Sequence, residues 1–231
     1  MILCNPSNPA GTLHSPEHLE KIAAVLRKLQ FQHIVVVSDE IYEQLVFQDE
    51  GAAERKHVSF ASLLGMHERT ILINGFSKAF AMTGQTTSCA NSVAQIMAIE
   101  AMKLELETIE RGEVRITDDL YGLDLKRQCI LKRLQAIPNL RFAYPTAAFY
   151  VFMDLSLYFK GKKAYPADKS EILHNVNDFC EYLIRKTGVA VAPGSDMGEP
   201  YGLRISYAGS MDTIVQAMDG QEFALNSLTF D

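Results

Sequence analysis

The chain has 231 residues, 48% of them hydrophobic, enough to fill one large core or two smaller ones. A formal net charge of −6 argues against a nucleic-acid or anionic-membrane surface. Cys4, Cys89, Cys129 and Cys180 are far apart, without C-x-x-C spacing or a neighbouring histidine pair, so neither a metal site nor a disulfide framework is read from them. Dispersed thiols suit a reducing cytosol. No apolar run approaches the ~18 residues of a membrane span, and no basic-then-apolar leader opens the chain.

In chain order, Ile2-Leu3-Cys4 reads as a strand that begins almost at Met1, which suggests that a segment upstream is missing. "NPSNPAGT" is turn-forming. Ser15 is placed to cap a helix with Pro16 at its first position, and Leu19, Ile22, Ala23, Leu26 and Leu29 carry it to about Gln30. "HIVVVSDE" and "RTILINGF" are continuous apolar runs, the pattern of parallel strands covered on both faces. From Asn91 to about Gln135 the spacing is helical, broken near Gly112 and restarted near Asp118. "LRFAYPTAAFYVFMDLS" reads as strand, turn, strand. Ser170 is expected to cap a helix through Lys186, "GVAVAPG" and "GLRISYA" are short strands, and Met211 onward is helical. The prediction is an α/β domain over 1–127 and a smaller α+β domain over 128–231, sharing a long helix.

In open α/β sheets ligands bind at the C-terminal ends of the strands. Three strand ends here carry polar residues, which directs Asn8, Asp39, Tyr42 and Lys78 toward one crevice. Each also has an ordinary reading. Asn8 serves a turn, Asp39-Glu40 is a solvated strand end, Tyr42 lies at a rim and Lys78 on a surface. Arg204, alternating with Leu203 and Ile205, faces away from them and pairs at the surface. The joint pattern outweighs the single readings.

In these blocks the chain resembles the class I aminotransferases, pyridoxal 5'-phosphate (PLP) enzymes of fold type I. "NPSNPAGT", "SDEIYEQLVF", "NGFSKAFAMTG", "AAFYVFMD", "GVAVAPGS" and "GLRISYA" stand in family order, and "FSKAFAMTG" is most similar to the bacterial-type aspartate aminotransferases. The resemblance implies part of the PLP-binding large domain followed by the C-terminal small domain. It makes Lys78 the catalytic amine, since lysine condenses reversibly with an aldehyde and then carries protons. It makes Asp39 the carboxylate that keeps the pyridine nitrogen protonated, Asn8 and Tyr42 the donors to the ring's phenolic oxygen, and Arg204 the fork for a substrate carboxylate. Ser77 is given no role.

The resemblance breaks after Gly84. The family continues with an aromatic and a phosphate-binding arginine, whose slot here is Thr86, and the wording resumes with a block that normally lies further on. A deletion between Gly84 and Gln85 is the economical reading. The segment that precedes "NPxNP" in the family, with its glycine-rich phosphate loop and ring-stacking aromatic, has no counterpart in this sequence. One charge-assisted hydrogen bond contributes ~1.5–3 kcal/mol, so losing the arginine and several loop donors removes upwards of ~5 kcal/mol. That is over a thousandfold in affinity for a ligand held through its phosphate.

The implied activity is transfer of an amino group from an amino acid, with aspartate the first candidate, to 2-oxoglutarate, in a cytoplasmic homodimer. Two alternatives stay open. One is a catalytically inactive remnant, and the other a PLP lyase or synthase built on the same lysine and aspartate.

Overall fold

The computed structural model describes residues 1–83, 91–113 and 120–230. Thr86 and the junction of Gly84 with Gln85 lie outside these. The chain divides into two compact units. The N-terminal unit holds residues 1–8, 12–120 and 146–148, and the C-terminal unit holds 9–11, 121–145 and 149–231.

In the N-terminal unit, β1 (Ile2–Cys4), β2 (Val36–Asp39) and β3 (Thr70–Ile73) form a parallel sheet with β2 in the middle. Helix α1 (Pro16–Leu26) begins as its sequence dictates: the Ser15 side chain accepts the His18 N–H, and Pro16 occupies the first turn. Its buried Leu19, Ala23 and Leu26 join Leu3, Val36, Phe60 and Met66 in one cluster on one face of the sheet. The helix stops four residues before the expected end. Arg69, beside β3, donates to the carbonyls of Leu26 (2.8 Å), Ile34 (2.9 Å) and Phe31, satisfying the helix end and the turn after it.

The other face of this sheet departs from expectation. The register aligns Ile2, Val37 and Ile71, and next to them Cys4, Asp39 and Ile73. Ile2 is 80% exposed, Ile71 56% and Ile73 46%. Parallel strands are ordinarily covered on both faces; here one face is covered by α1 and the other presents isoleucine to solvent. The unit continues with the short α2 (Phe76–Ala79) and with α3 (Ser92–Glu110), which buries Ala94, Ala98, Glu105 and Thr108 while leaving Val93, Ile96, Ile99, Leu104 and Leu106 exposed. It is completed from far along the chain. Phe47 N–H donates to the Thr146 carbonyl (2.9 Å) and Ala148 N–H to the Leu45 carbonyl (2.8 Å).

Helix α3 ends at Glu110 with Arg111 as its cap, and Gly112 has a φ of +68°, so no described helix runs through both units. In the C-terminal unit, α4 (Tyr121–Ala136) precedes β4 (Arg141–Ala143) and β5 (Tyr150–Asp154). Next come α5 (Ser156–Phe159), β6 (Ala164–Tyr165) and α6 (Val176–Thr187). β7 (Ala192–Pro193), β8 (Gly202–Ser206), α7 (Met211–Asn226) and β9 (Thr229–Phe230) complete it. An antiparallel sheet runs in the order β4-β5-β8-β7, and β6 pairs with β9. Val151 and Met153 face the same way as Ile205 and Leu203, and all four are buried. α7 packs against α4 and α6. The cap of α6 is Asn175, whose side chain accepts the Asp178 N–H, rather than Ser170, whose N–H donates to the Asp168 carboxylate in the preceding bend. Gly11, of "NPAGT", has a φ of +67°, and a Cβ there would fall onto the Tyr150 carbonyl, so only glycine fits.

Candidate active site

β2 delivers Asp39 at the centre of the three-stranded sheet, on the face that α1 does not cover. Its neighbours in register are Cys4 and Ile73. Backbone bonds fix that end of the sheet: Asn5 N–H to the Asp39 carbonyl, and Glu40 N–H to the Ile73 carbonyl, both 2.9 Å. The Asp39 carboxylate is half-buried and accepts the Ile41 N–H at 3.2 Å.

Asn8 lies in the turn after β1 and is itself exposed. Its backbone N–H reaches the Cys4 thiol, which donates to the Pro6 carbonyl at 3.3 Å. Burial pushes that thiol above its ordinary value, the Asn8 contact pulls it down, and the charge of Asp39 pushes it up again. Cys4 thus contacts the Asn8 turn and stands beside Asp39 in the sheet register.

Lys78 is carried on α2, which begins directly after the loop that leaves β3. It is half-buried, and its Nζ stands 5.9 Å from the ring centroid of Tyr42, a buried residue of the turn after β2. A cation over an aromatic face is attracted by the ring quadrupole. Amine and phenol are therefore neighbours, one from the β3 end and one from the β2 end.

Arg204 belongs to the C-terminal unit, on β8 between buried Leu203 and Ile205. As alternation predicted, it faces away from them. Its guanidinium covers the Tyr150 ring at 4.7 Å, which presents it as a plane.

Sequence reasoning missed Glu40. In place of a solvated strand end, this carboxylate is 1% exposed. Its Oε1 accepts from Ser38 Oγ (2.8 Å), Ser59 Oγ (3.0 Å) and the Phe60 N–H (3.0 Å). The turn bearing Asp39 and Tyr42 is thus fastened to a loop about twenty positions away. The only signal available in the sequence was the adjacency of Glu40 to Asp39.

The N-terminal unit thus carries an acid at the end of its central strand, and an amine beside an aromatic ring near the neighbouring strand ends, where open α/β sheets bind ligands. The aminotransferase class I and II profile matches residues 1–105 and 85–220. The chain belongs to this family. The two matched stretches share residues 85–105, and the break in family wording after Gly84 falls at the start of that overlap.

An aspartate aminotransferase of Pinus pinaster is 34% identical over 97% of this chain and 47% of its own length. A bifunctional aspartate aminotransferase and glutamate/aspartate-prephenate aminotransferase of Petunia hybrida is 34% identical, over 97% and 48%. Among solved structures, the aspartate aminotransferase of Rhizobium meliloti superposes with a TM-score of 0.79 at 28% identity, over 99% of this chain and 58% of that one. The aromatic aminotransferase of Pyrococcus horikoshii OT3 gives 0.74 at 30%, over 97% and 59%. The chain spans about half the length of the curated relatives it matches, and its fold is that of the fold type I aminotransferases.

Proposed function

We propose that this chain carries the reacting half of an aminotransferase site, and that the reaction is amino-group transfer from an amino acid, aspartate first, to 2-oxoglutarate with PLP as cofactor. The observation that carries this reading is the Lys78 amine over the Tyr42 ring, in the same unit as Asp39. These groups fit the ring end of PLP: an amine for the aldehyde carbon, a phenol for the ring hydroxyl and an acid for the ring nitrogen. PLP, when bound, supplies the aldehyde and an electron-withdrawing ring.

The chain's own residues do the rest. Lys78 takes and returns the proton at the substrate Cα. Asp39 holds the proton on the ring nitrogen, while Asn8 and Tyr42 donate hydrogen bonds to the phenolic oxygen. Arg204 clamps the substrate carboxylate with two parallel N–H bonds. A cytoplasmic homodimer is the setting that accompanies this reading.

A second reading rests on Thr86, which stands in the slot of the family's phosphate-binding arginine: a chain that keeps the reacting groups and lacks the activity. One titration separates the two. Adding PLP to the purified chain is expected to produce a visible absorbance band that borohydride removes and that Lys78→Ala abolishes. A chain that gives no band lacks the proposed activity. Product analysis with aspartate then distinguishes transfer from elimination, the lyase alternative.

A further inference from the structure

Glu40 raises a question that amino-group transfer does not answer. Its Oε1 accepts three hydrogen bonds, whereas its Oε2, equally buried, accepts none from the described residues. A buried carboxylate oxygen without a compensating partner is costly. Oε2 is aimed at His57, whose Nε2 lies 3.4 Å away and also contacts the Asn5 carbonyl at 3.1 Å. At the other ring nitrogen, Glu43 Oε2 lies 4.0 Å from Nδ1. One ligand atom from each of Glu40, Glu43 and His57 falls within 4.8 Å of the other two.

We propose that Glu40, Glu43 and His57 form a binding site for a divalent cation of the zinc or manganese type, which staples the turn carrying Asp39 and Tyr42 to the loop carrying His57. Two carboxylates and an imidazole are a donor set for borderline ions of this kind. Their combined charge of about −2 matches the ion, which supplies what the inner oxygen lacks. Around a tetrahedral zinc with bonds of about 2.0–2.2 Å, ligand atoms stand about 3.4 Å apart. Glu40 Oε2 and His57 Nε2 already stand at that spacing, and Nε2 would give up its proton and its contact with the Asn5 carbonyl to bind the ion. Glu43, with a third of its side chain exposed, is free to swing in the remaining distance.

The approach is open, since Glu43 and His57 line a hollow of about 530 Å³ together with Gln48, Arg55 and Lys56. The two cations there do not oppose an incoming metal, because Arg55 is paired with Asp49 (2.9 Å) and Lys56 with Glu54 (3.1 Å). No sequence motif announces this site, because the ligands combine an E-x-x-E step within one turn with a histidine fourteen positions further on.

The chelator-treated chain, without PLP, is titrated with Zn²⁺ by calorimetry and with Co²⁺ by visible absorbance. One ion per chain is expected, with weak cobalt d–d bands of nitrogen and oxygen ligation and a melting midpoint that rises with metal and falls on chelation. Glu43→Gln and His57→Gln are each expected to weaken binding at least tenfold and to remove the melting shift. Glu43 is partly exposed, so its variant keeps the fold if the hydrogen-bond network is sound. Glu40→Gln keeps an oxygen for the Ser38, Ser59 and Phe60 donors and tests the inner ligand. His14→Gln, at the stacked His14–His18 pair, is expected to change nothing. The proposal is overturned by a chain that takes up no ion, by equal affinity in Glu43→Gln and the parent, by loss that follows His14→Gln, or by intense near-ultraviolet cobalt bands that report thiolate ligation.

Discussion

The two units solve the same packing problem with different success. In the C-terminal unit β5 and β8 lie inside the sheet, their inward residues Val151, Met153 and Leu203 are fully buried, and helices close the core. In the N-terminal unit α1 seals one face of a three-stranded sheet while β3 stands at its edge with three consecutive apolar residues exposed. Helix α3 repeats the lesson in another form, since it points alanine, glutamate and threonine inward and isoleucine and leucine outward. Burial thus follows from having a neighbour to pack against, and apolar sequence alone does not secure it. The groups assigned to chemistry divide unevenly, with Arg204 in the closed unit and Asn8, Asp39, Tyr42 and Lys78 in the open one.

The sharpest way to break this comparison is to cut the same kind of side chain from each sheet. Leu203→Ala is expected to cost ~2–5 kcal/mol in denaturant unfolding, as a cavity in a packed core does. Ile71→Ala is expected to stay within ~0.5 kcal/mol. Equal losses would show that β3 is as well packed as β8. Next in size are the helix caps: Asn175→Ala in one unit and Ser15→Ala in the other should each cost ~1 kcal/mol by thermal or chemical unfolding. If only one cap responds, only that helix contributes to the measured transition.

A smaller thermodynamic effect with a visible consequence is expected of Ile71→Lys. Stability should stay within ~0.5 kcal/mol, while light scattering of concentrated protein falls, because a charge on an edge strand blocks edge-to-edge pairing. Unchanged scattering would mean that this face is covered in solution. A further effect is set by pH in the closed unit. Burial, with the charges of Asp196 and Glu181, pushes the Cys180 thiol from an ordinary 9.0 up to about 11. Between those values the unfolded chain has lost the proton and the folded chain keeps it. Stability therefore falls as pH rises from about 9 to 11 and is undisturbed below. Cys180→Ser should flatten that part of the profile, and alkylation of Cys180 should accelerate through the same range.

The legible parts of the sequence were those written locally. Ser15 and Pro16 opened α1, apolar runs marked β2 and β3, and alternation around Arg204 gave the right face of β8. The parts that could not be read depend on partners far along the chain. α1 ends at Leu26, whose carbonyl Arg69 takes from far along the chain, and no propensity within the helix reports that. Ser170 is as good a capping residue as Asn175, and its own chemistry does not say which one the helix will start from. β6 and β9 are two residues each and show no period to detect. At the site, the order of motifs along the chain was readable, whereas the burial of Glu40 among Ser38, Ser59 and Phe60 was not.

The contact of Leu45–Phe47 with Thr146–Ala148 also sets a schedule for birth on the ribosome. The segment that needs this contact emerges about 100 residues before its partner, which at ~5–20 residues per second is a wait of roughly 5–20 s. Throughout that interval the turn after β2 lacks its late-arriving strip. Chaperones that recognise extended apolar segments would meet this chain early, and cellular yield should depend on them more than on the unit translated last.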